Sequence, residues 1–339
     1  MLSEIELIEK LKELKIPAFR SKQILHALFQ EGKHSYDQIL VLPKELREKL
    51  KSVIPIFSIF PIKAIISKEK ETEKVLFQLH DGLKVEAVLM RYKDDRVSLC
   101  ISSQAGCQLG CTFCATGKMK FGRNLRYEEI ADQVMYFAQK LIPEKKHITN
   151  IVYMGMGEPF MNYDEVMKSV SAINDKNGLN LGARKITIST AGICEGIEKL
   201  ANEPFQVNLA ISLHAPNQEL RQKIMPIARR YSLDQLMKAT EEYIEKTNRR
   251  VSYEYVMLRD INDHEKEAYE LANLIKNQLC HVNLIPYNVT GSEGMARSER
   301  DNILNFRNIL KSEGINATIR ITLGQEIDAA CGQLANKTE

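Results

Sequence analysis

The chain has 339 residues, 44% hydrophobic and 27% charged, and its 47 Lys and Arg barely exceed its 44 Asp and Glu, for a net charge of +3. That composition supports a packed core and excludes wholesale disorder, and so weak a basic excess admits nucleic acid only through local patches. No apolar run approaches the roughly 20 residues that cross a bilayer, so no membrane partner is expected.

Residues 1 to about 60 are predicted to be helical. IELIEKLKEL and AFRSKQILHALFQ carry apolar residues at helical spacing, and SYDQILVLPKELREKLKSV breaks at Pro43 and restarts. The opening MLSEIELIEKLKELK is an amphipathic acid–base pattern rather than a basic stub before an apolar core, so no signal peptide is expected. The odd number of cysteines (Cys100, Cys107, Cys111, Cys114, Cys194, Cys280 and Cys331) then reads as reduced thiols in a cytoplasm rather than a disulfide framework.

From about residue 74 the period changes, and KVLFQLHDGLKVEAVLMRY reads as a hairpin around Asp81 and Gly82. A rhythm of strand and helix follows: RVSLCISS with YEEIADQVMYFAQKL, NIVYMGMG with YDEVMKSVSAIND, and RKITISTAG with CEGIEKLANE. It continues through VNLAISLHAP with LDQLMKATEEYIEKT, VSYEYVML with HEKEAYELANLIKN, and CHVNLIPYN with SERDNILNFRNILKSEG, and ends on ATIRITL and a short tail. Such repeats imply an α/β fold with a mostly parallel sheet. Six units are too few for the eight-stranded barrel and suit a partial (β/α)6 barrel, with ligands gathered at the C-terminal ends of its strands. The expected segments are a small helical domain at 1–65, a β-hairpin extension at 66–95 and the barrel at 96–335.

The stretch CQLGCTFC places Cys107, Cys111 and Cys114 directly after the first barrel strand. Thiolates are soft ligands for zinc or iron–sulfur clusters, and a cubane held by three cysteines keeps one iron free to bind something else. The alternatives are zinc completed by Cys100 or a histidine, and a carrier cluster completed by a distant cysteine. Zinc sites pair their ligands as two short hooks, and neither His80 nor His147 has a partner at that spacing. One strand later comes YMGMGEP, where Gly155 and Gly157 permit close backbone approach and Glu158 can accept from an ammonium group.

C-x3-C-x2-C at the end of the first strand, followed by this glycine–glutamate turn, resembles the radical S-adenosylmethionine (radical-SAM) superfamily. VEAV, ISSQAGC, FCATG, MGMGEP, ITISTAG, AISLHAPN, EYVMLRDIND, NLIPYN and IDAACGQL occur in order and resemble one narrow branch of it, the RNA adenine methyltransferases. The resemblance implies one 4Fe-4S cluster on Cys107, Cys111 and Cys114, and two S-adenosylmethionine molecules per turnover. One would methylate Cys331; the other, cleaved by the cluster, would give a radical that takes hydrogen from the S-methyl group. The resulting methylene adds to an electron-poor adenine carbon, and Cys100 attacks Cys331 to release the product as a disulfide forms.

Glu86 matches the family's proton acceptor; without that match it reads as a carboxylate on the wet face of an edge strand. Gly157, Glu158, Ser189, Ser212, Leu213, His214 and Asn288 match cofactor contacts, while Cys194 and Cys280 read as structural. The implied substrates are 23S rRNA and tRNA, methylated at adenine C2, with a flavodoxin- or ferredoxin-type reductant, a monomeric enzyme and an RNA-gripping N-terminal domain. A sister group methylates C8 of the rRNA adenine and confers antibiotic resistance; the proline of MGMGEP and the form NLIPYN side with the C2 group. Lys118, Lys120, Arg123 and Arg126 form an acid-free run that suits phosphates, whereas Arg229–Arg230 and Arg249–Arg250 read as solvated faces. A non-catalytic RNA-binding protein with a structural zinc or redox cluster is the alternative from another class.

Overall fold

The computed structural model describes residues 4–336; residues 1–3, where the expected N-terminal domain begins, lie outside them. Three helices come first, α1 (Glu4–Glu13), α2 (Arg20–Phe29) and α3 (Lys44–Val53). Glu4 and Glu6 open α1 while Lys10 and Lys12 close it, matching the helix dipole. Leu7, Leu11, Ile24, Leu28 and Leu50 make a small core that also takes in Tyr127, Ala131 and Met135 from α4 (Tyr127–Leu141). The stretch before Pro43 forms only a single 3₁₀ turn, Tyr36–Gln38, capped by Ser35. Proline disfavours helical geometry at the preceding Leu42, and burial of Ile39 and Leu42 holds the chain down instead.

Next come β1 (Ile59–Ile66), β2 (Thr72–Leu79) and β3 (Lys84–Arg91). β2 and β3 form the predicted hairpin, pairing Leu76 with Glu86 and Lys74 with Val88. β1 is an additional strand that the sequence pattern does not reveal. It lies at the edge of the sheet, its register slips between Pro61 and Lys63, and it is mostly exposed. An edge with a bulge is where a strand tolerates proline, and that proline hides the strand from a pattern search.

β3 then pairs antiparallel with β4 (Val97–Cys100), joining the hairpin to the parallel sheet without a break. After the two-residue strands β5 (Gln104–Ala105) and β6 (Arg123–Asn124), the sheet runs through β7 (Asn150–Tyr153), β8 (Ile186–Thr190), β9 (Asn208–Ser212), β10 (Val251–Met257), β11 (Cys280–Pro286) and β12 (Ala317–Ile319). All neighbours from β4 to β12 in this sheet are parallel. The connecting helices are α4, α5 (Tyr163–Asn174), α6 (Cys194–Leu200), α7 (Gln218–Ile224) with α8 (Leu233–Thr247), α9 (Glu265–Ile275) and α10 (Arg300–Ser312). This is the expected partial barrel of six strand–helix units with a seventh strand. Among the described residues β1 and β12 do not pair, so the sheet stays open. Because β4 and β7 to β12 run parallel, their C-terminal ends lie on one side, where the loops converge.

Candidate active site

β4 ends at Cys100, and the chain turns through Gly106 into the three-cysteine loop. Gly106 has φ +85°, and a Cβ there would lie 2.6 Å from the Lys120 carbonyl oxygen, so glycine is required for the turn beneath that loop. Cys107, Cys111 and Cys114 line a cavity of about 170 Å³ at the C-terminal ends of the strands. Burial pushes the Cys107 thiol up to about 12 and that of Cys111 well above its ordinary value, and raises that of Cys114 as well. They are neutral thiols until a metal displaces their protons. Among the described residues the one trio of ligating side chains whose donor atoms all fall within 4.8 Å is Asp260, Asp263 and His264, on a different loop. The three cysteines do not meet that spacing, so as placed their sulfurs are more widely set than the ligands of a single small ion.

The opposite wall comes from the ends of β7 to β11. Glu158 is buried; its Oε1 accepts from the Phe160 amide at 3.0 Å and its Oε2 from the Ala191 amide at 2.7 Å. Burial raises this carboxyl to about 7. The glycines before it serve a purpose the sequence did not disclose. A Cβ on Gly155 would meet the Ile101 carbonyl oxygen at 2.6 Å, and one on Gly157, at φ +99°, would meet Gln104 Cβ at 2.5 Å. Their close approach is to the chain leading into the cysteine loop.

Ser189 and Ser212 also face the cavity, with their hydroxyl oxygens 3.4 Å apart. His214, in the left-handed region at φ +60°, accepts the Val256 amide at Nδ1 (3.0 Å), which leaves Nε2 to carry its proton. Burial, then the charge of Arg221, lowers its pKa to about 3, so it is neutral near pH 7. Leu213 is not brought into the cavity: its side chain is wholly buried and its amide is spent on the Glu254 carbonyl. Asn288 donates from Nδ2 to the Cys331 carbonyl oxygen, while its buried Oδ1 has no hydrogen-bond partner.

Cys331 lies in the wall shared with a second cavity, of about 70 Å³, which Cys100 also lines. Both are free thiols. Burial first, then the neighbouring Cys331, pushes Cys100 up to about 12, while Arg320 opposes the shift. Arg320 lines both cavities, and its own pKa is raised chiefly by Cys331. Its guanidinium stands 3.7 Å from Glu254 Oε2, a buried oxygen with no hydrogen bond.

Sequence reasoning missed Arg320 and Glu254, although a lone charge inside each of the apolar runs ATIRITL and VSYEYVML was a usable signal. It also missed Arg221 on the short α7, which donates to the carbonyl oxygens of Ala191, Ser212 and Leu213 and so ties the ends of β8 and β9 together.

Glu86 is not on a wet edge. β3 is paired on both sides, and Glu86 is 1% exposed, with Oε1 3.1 Å from Lys74 Nζ and Oε2 accepting the amides of Ala335 and Asn336. Its carboxylate lines neither cavity. In the basic run, Lys118, Lys120 and Arg126 are at least partly exposed. Arg123 is instead a bridge between Asp81 of the hairpin turn and buried Glu129 of α4.

Residues 101–272 match the Radical SAM superfamily. The chain is 46% identical over 334 residues to the probable dual-specificity RNA methyltransferase RlmN of Bacillus pumilus, covering 98% of this chain and 92% of that protein. It is 45% identical over 323 residues to ribosomal RNA large subunit methyltransferase N of Nitrosopumilus maritimus, covering 93% and 92%. The crystal structure of a radical SAM methyltransferase from Sphaerobacter thermophilus superposes with a TM-score of 0.97 at 44% identity, over 99% of this chain and 98% of that one. This chain belongs to the radical SAM RNA methyltransferase family.

The superfamily's 4Fe-4S cluster and S-adenosylmethionine fit the residues present. Three soft thiols from one short loop, lining one cavity, suit such a cluster. Asn288 Oδ1 and Glu254 Oε2 are buried acceptors short of a hydrogen bond, suited to the ammonium and hydroxyl groups of a nucleoside amino acid. Among the described residues no helix is long and apolar enough to cross a membrane.

Proposed function

We propose that the protein methylates C2 of an adenosine in 23S rRNA and of the adenosine 3′ of the anticodon in some tRNAs, through an S-methyl group on Cys331. One observation carries this reading: Cys331 lines both the three-thiol cavity and the adjoining cavity that Cys100 lines. A thiol so placed is within reach of both the nucleotide pocket, where it can be methylated, and the Cys100 cavity, where it can be relieved of its cargo.

Cys107, Cys111 and Cys114 hold the cluster, and Glu158, Ser189, Ser212, His214, Asn288 and the Gly157 backbone line the nucleotide pocket. Bound there, the cluster and S-adenosylmethionine supply methyl transfer and one-electron cleavage of a sulfonium, which makes an unreactive S-methyl group able to attack an electron-poor ring carbon. Cys331 accepts the methyl group on sulfur and carries it to the base. Once the C2 proton is lost and the unpaired electron left by the one-electron addition has passed to an acceptor, a role the cluster would fill when bound, Cys100 attacks the Cys331 sulfur; the S–C bond breaks, its electron pair leaves with the carbon, which takes up a proton, and a disulfide remains for an external reductant. Burial keeps Cys100 protonated at rest, so it stays inert until a base takes its proton, and Arg320 stabilises the thiolate that forms.

Glu86 is the proton acceptor for the adenine C2 proton in this scheme. Its Oε2 is held by the tail amides, so that role requires those bonds to open. The target nucleotide leaves its stack at a cost of a few kcal/mol, which contacts elsewhere on the RNA offset. We assign those contacts to Lys118, Lys120 and Arg126 and to the N-terminal helices α1 to α3, the expected helical domain at 1–65 being cut short because β1 takes residues 59–66 into the sheet. A flavodoxin- or ferredoxin-type reductant, a cytoplasmic location and a monomeric state complete the proposal.

The test is nucleoside analysis of rRNA and tRNA from a deletion strain and its complement. Loss and return of 2-methyladenosine are expected; loss of 8-methyladenosine instead would move the protein to the C8 group, and no change would overturn the proposal.

A further inference from the structure

The segment bearing Cys331 is tied to the β2–β3 hairpin at both ends by a single ion pair. Lys74 and Glu86 are diagonal neighbours on one face of the hairpin, both almost fully buried, with Nζ and Oε1 3.1 Å apart. Lys74 Nζ also donates to the Asp328 carbonyl oxygen at 3.0 Å, three residues before Cys331. Glu86 Oε2 accepts the amides of Ala335 and Asn336 at 2.9 and 3.2 Å, on the far side of the cysteine. Asn336 Nδ2 adds a bond to the Lys84 carbonyl oxygen at 2.7 Å. Thr72, two residues before Lys74, packs so tightly on Gly324 that a Cβ there would lie 2.6 Å from its Cγ2.

A buried ion pair is an inefficient way to stabilise a sheet, because a well-packed apolar pair is often as stable or more so. Here each member also hydrogen-bonds to the main chain of one loop, more than 240 residues away in sequence. That arrangement fixes a position. We propose that Lys74 and Glu86 form a latch, a pair of positioning residues that holds the Cys331 loop at both ends against the wall the two cavities share, and that release of the loop and release of the Glu86 carboxylate are one event. The importance of the loop rests on Cys331 being the methyl acceptor; the latch itself does not. While the tail is docked, Oε2 is occupied by two amides. When the loop swings away with its cargo, that oxygen is freed and the Lys74 ammonium loses its carbonyl partner. Loop movement and the appearance of a free carboxylate oxygen are thereby coupled without any additional moving part.

The test uses the purified full-length protein without RNA or added S-adenosylmethionine, so it is independent of methyl transfer. Iodoacetamide labelling of Cys331 and hydrogen exchange over 324–336 are followed by mass spectrometry, with Cys194 and α5 as internal references. Three variants are compared: K74M/E86L, which removes both charges and leaves neither unpaired; K74R, which keeps the cation; and a chain ending at Leu334, which leaves the pair intact and removes the tail amides. K74M/E86L and the shortened chain are expected to label Cys331 about tenfold faster or more, the scale of losing hydrogen bonds to charged groups, with the references unchanged. K74R is expected to stay within about threefold of the parent, since the guanidinium can still donate to both partners. An unchanged Cys331 rate in both loosened chains would overturn the latch. So would faster exchange in α5 to the same degree as in 324–336 with the shortened chain unaffected, because that pattern is general destabilisation.

Discussion

Asn288 donates through Nδ2 to the main-chain oxygen of Cys331 at 3.1 Å, so a residue of the nucleotide cavity also steadies the thiol-bearing loop. Its Oδ1 is buried without a hydrogen-bond partner, an arrangement that costs free energy unless a ligand donates to it. Asn288→Leu removes the acceptor and the loop contact together. With the cluster reconstituted, calorimetry is expected to show S-adenosylmethionine binding weakened about tenfold or more, the scale of a lost buried hydrogen bond. Binding at parental affinity would show that Oδ1 does not meet the ligand.

His214 supplies a pH signature. Burial and Arg221 lower its pKa from the ordinary 6.5 to about 3. Between those values the unfolded chain binds a proton that the folded chain refuses, so stability rises with pH across the window and is lost as pH falls through it. The loss approaches about 5 kcal/mol as an upper bound at the acid end. Asparagine tolerates the left-handed backbone at this position and can accept the Val256 amide through its side-chain oxygen. Urea unfolding of His214→Asn is therefore expected to give a shallower decline as pH falls from 6.5 towards about 3 than the parent. Parallel curves would mean that the imidazole titrates normally.

Arg320 is expected to govern thiol reactivity in the second cavity. It partly offsets the burial that raises Cys100, and its own charge is stabilised chiefly by Cys331. Arg320→Met should move the pH at which Cys100 and Cys331 form a disulfide, under a fixed redox buffer, to higher values. Arg320→Lys should restore part of the shift, because a cation is present but the planar fork is not. An unchanged pH profile in both variants would remove the guanidinium from the thiol chemistry.

The barrel was legible because its signals are local and repeated. Runs such as KITIST and VNLAIS are short, β-branched and each followed by an amphipathic helix, so the six units can be read from the residues alone. β1 escaped because Pro61 interrupts IFPIKAII and the strand lies exposed at an edge, where alternation carries little information. α7 escaped because QELRQKI is two turns long and runs directly into Pro226.

In the site, the cysteines were visible from spacing alone, and the surroundings of Glu86 were not. KVEAVLM alternates like a half-wet strand, yet the tail that covers Glu86 arrives from residues 335 and 336. No local pattern reports a partner that distant. The glycines of MGMGEP show the same limit: their spacing was plain, while their contacts, Ile101 and Gln104, depend on how β7 lies beside β4.

Intact-protein and peptide mass spectrometry of Cys100→Ala, turned over without oxygen on an rRNA fragment, tests the carrier role of Cys331 most directly. The expected product is a covalent protein–RNA conjugate whose cross-linked peptide contains Cys331 joined to adenosine through one methylene carbon, with little free methylated RNA. Free methylated RNA at the parental rate with no conjugate, or a conjugate mapping to another cysteine, would contradict that role.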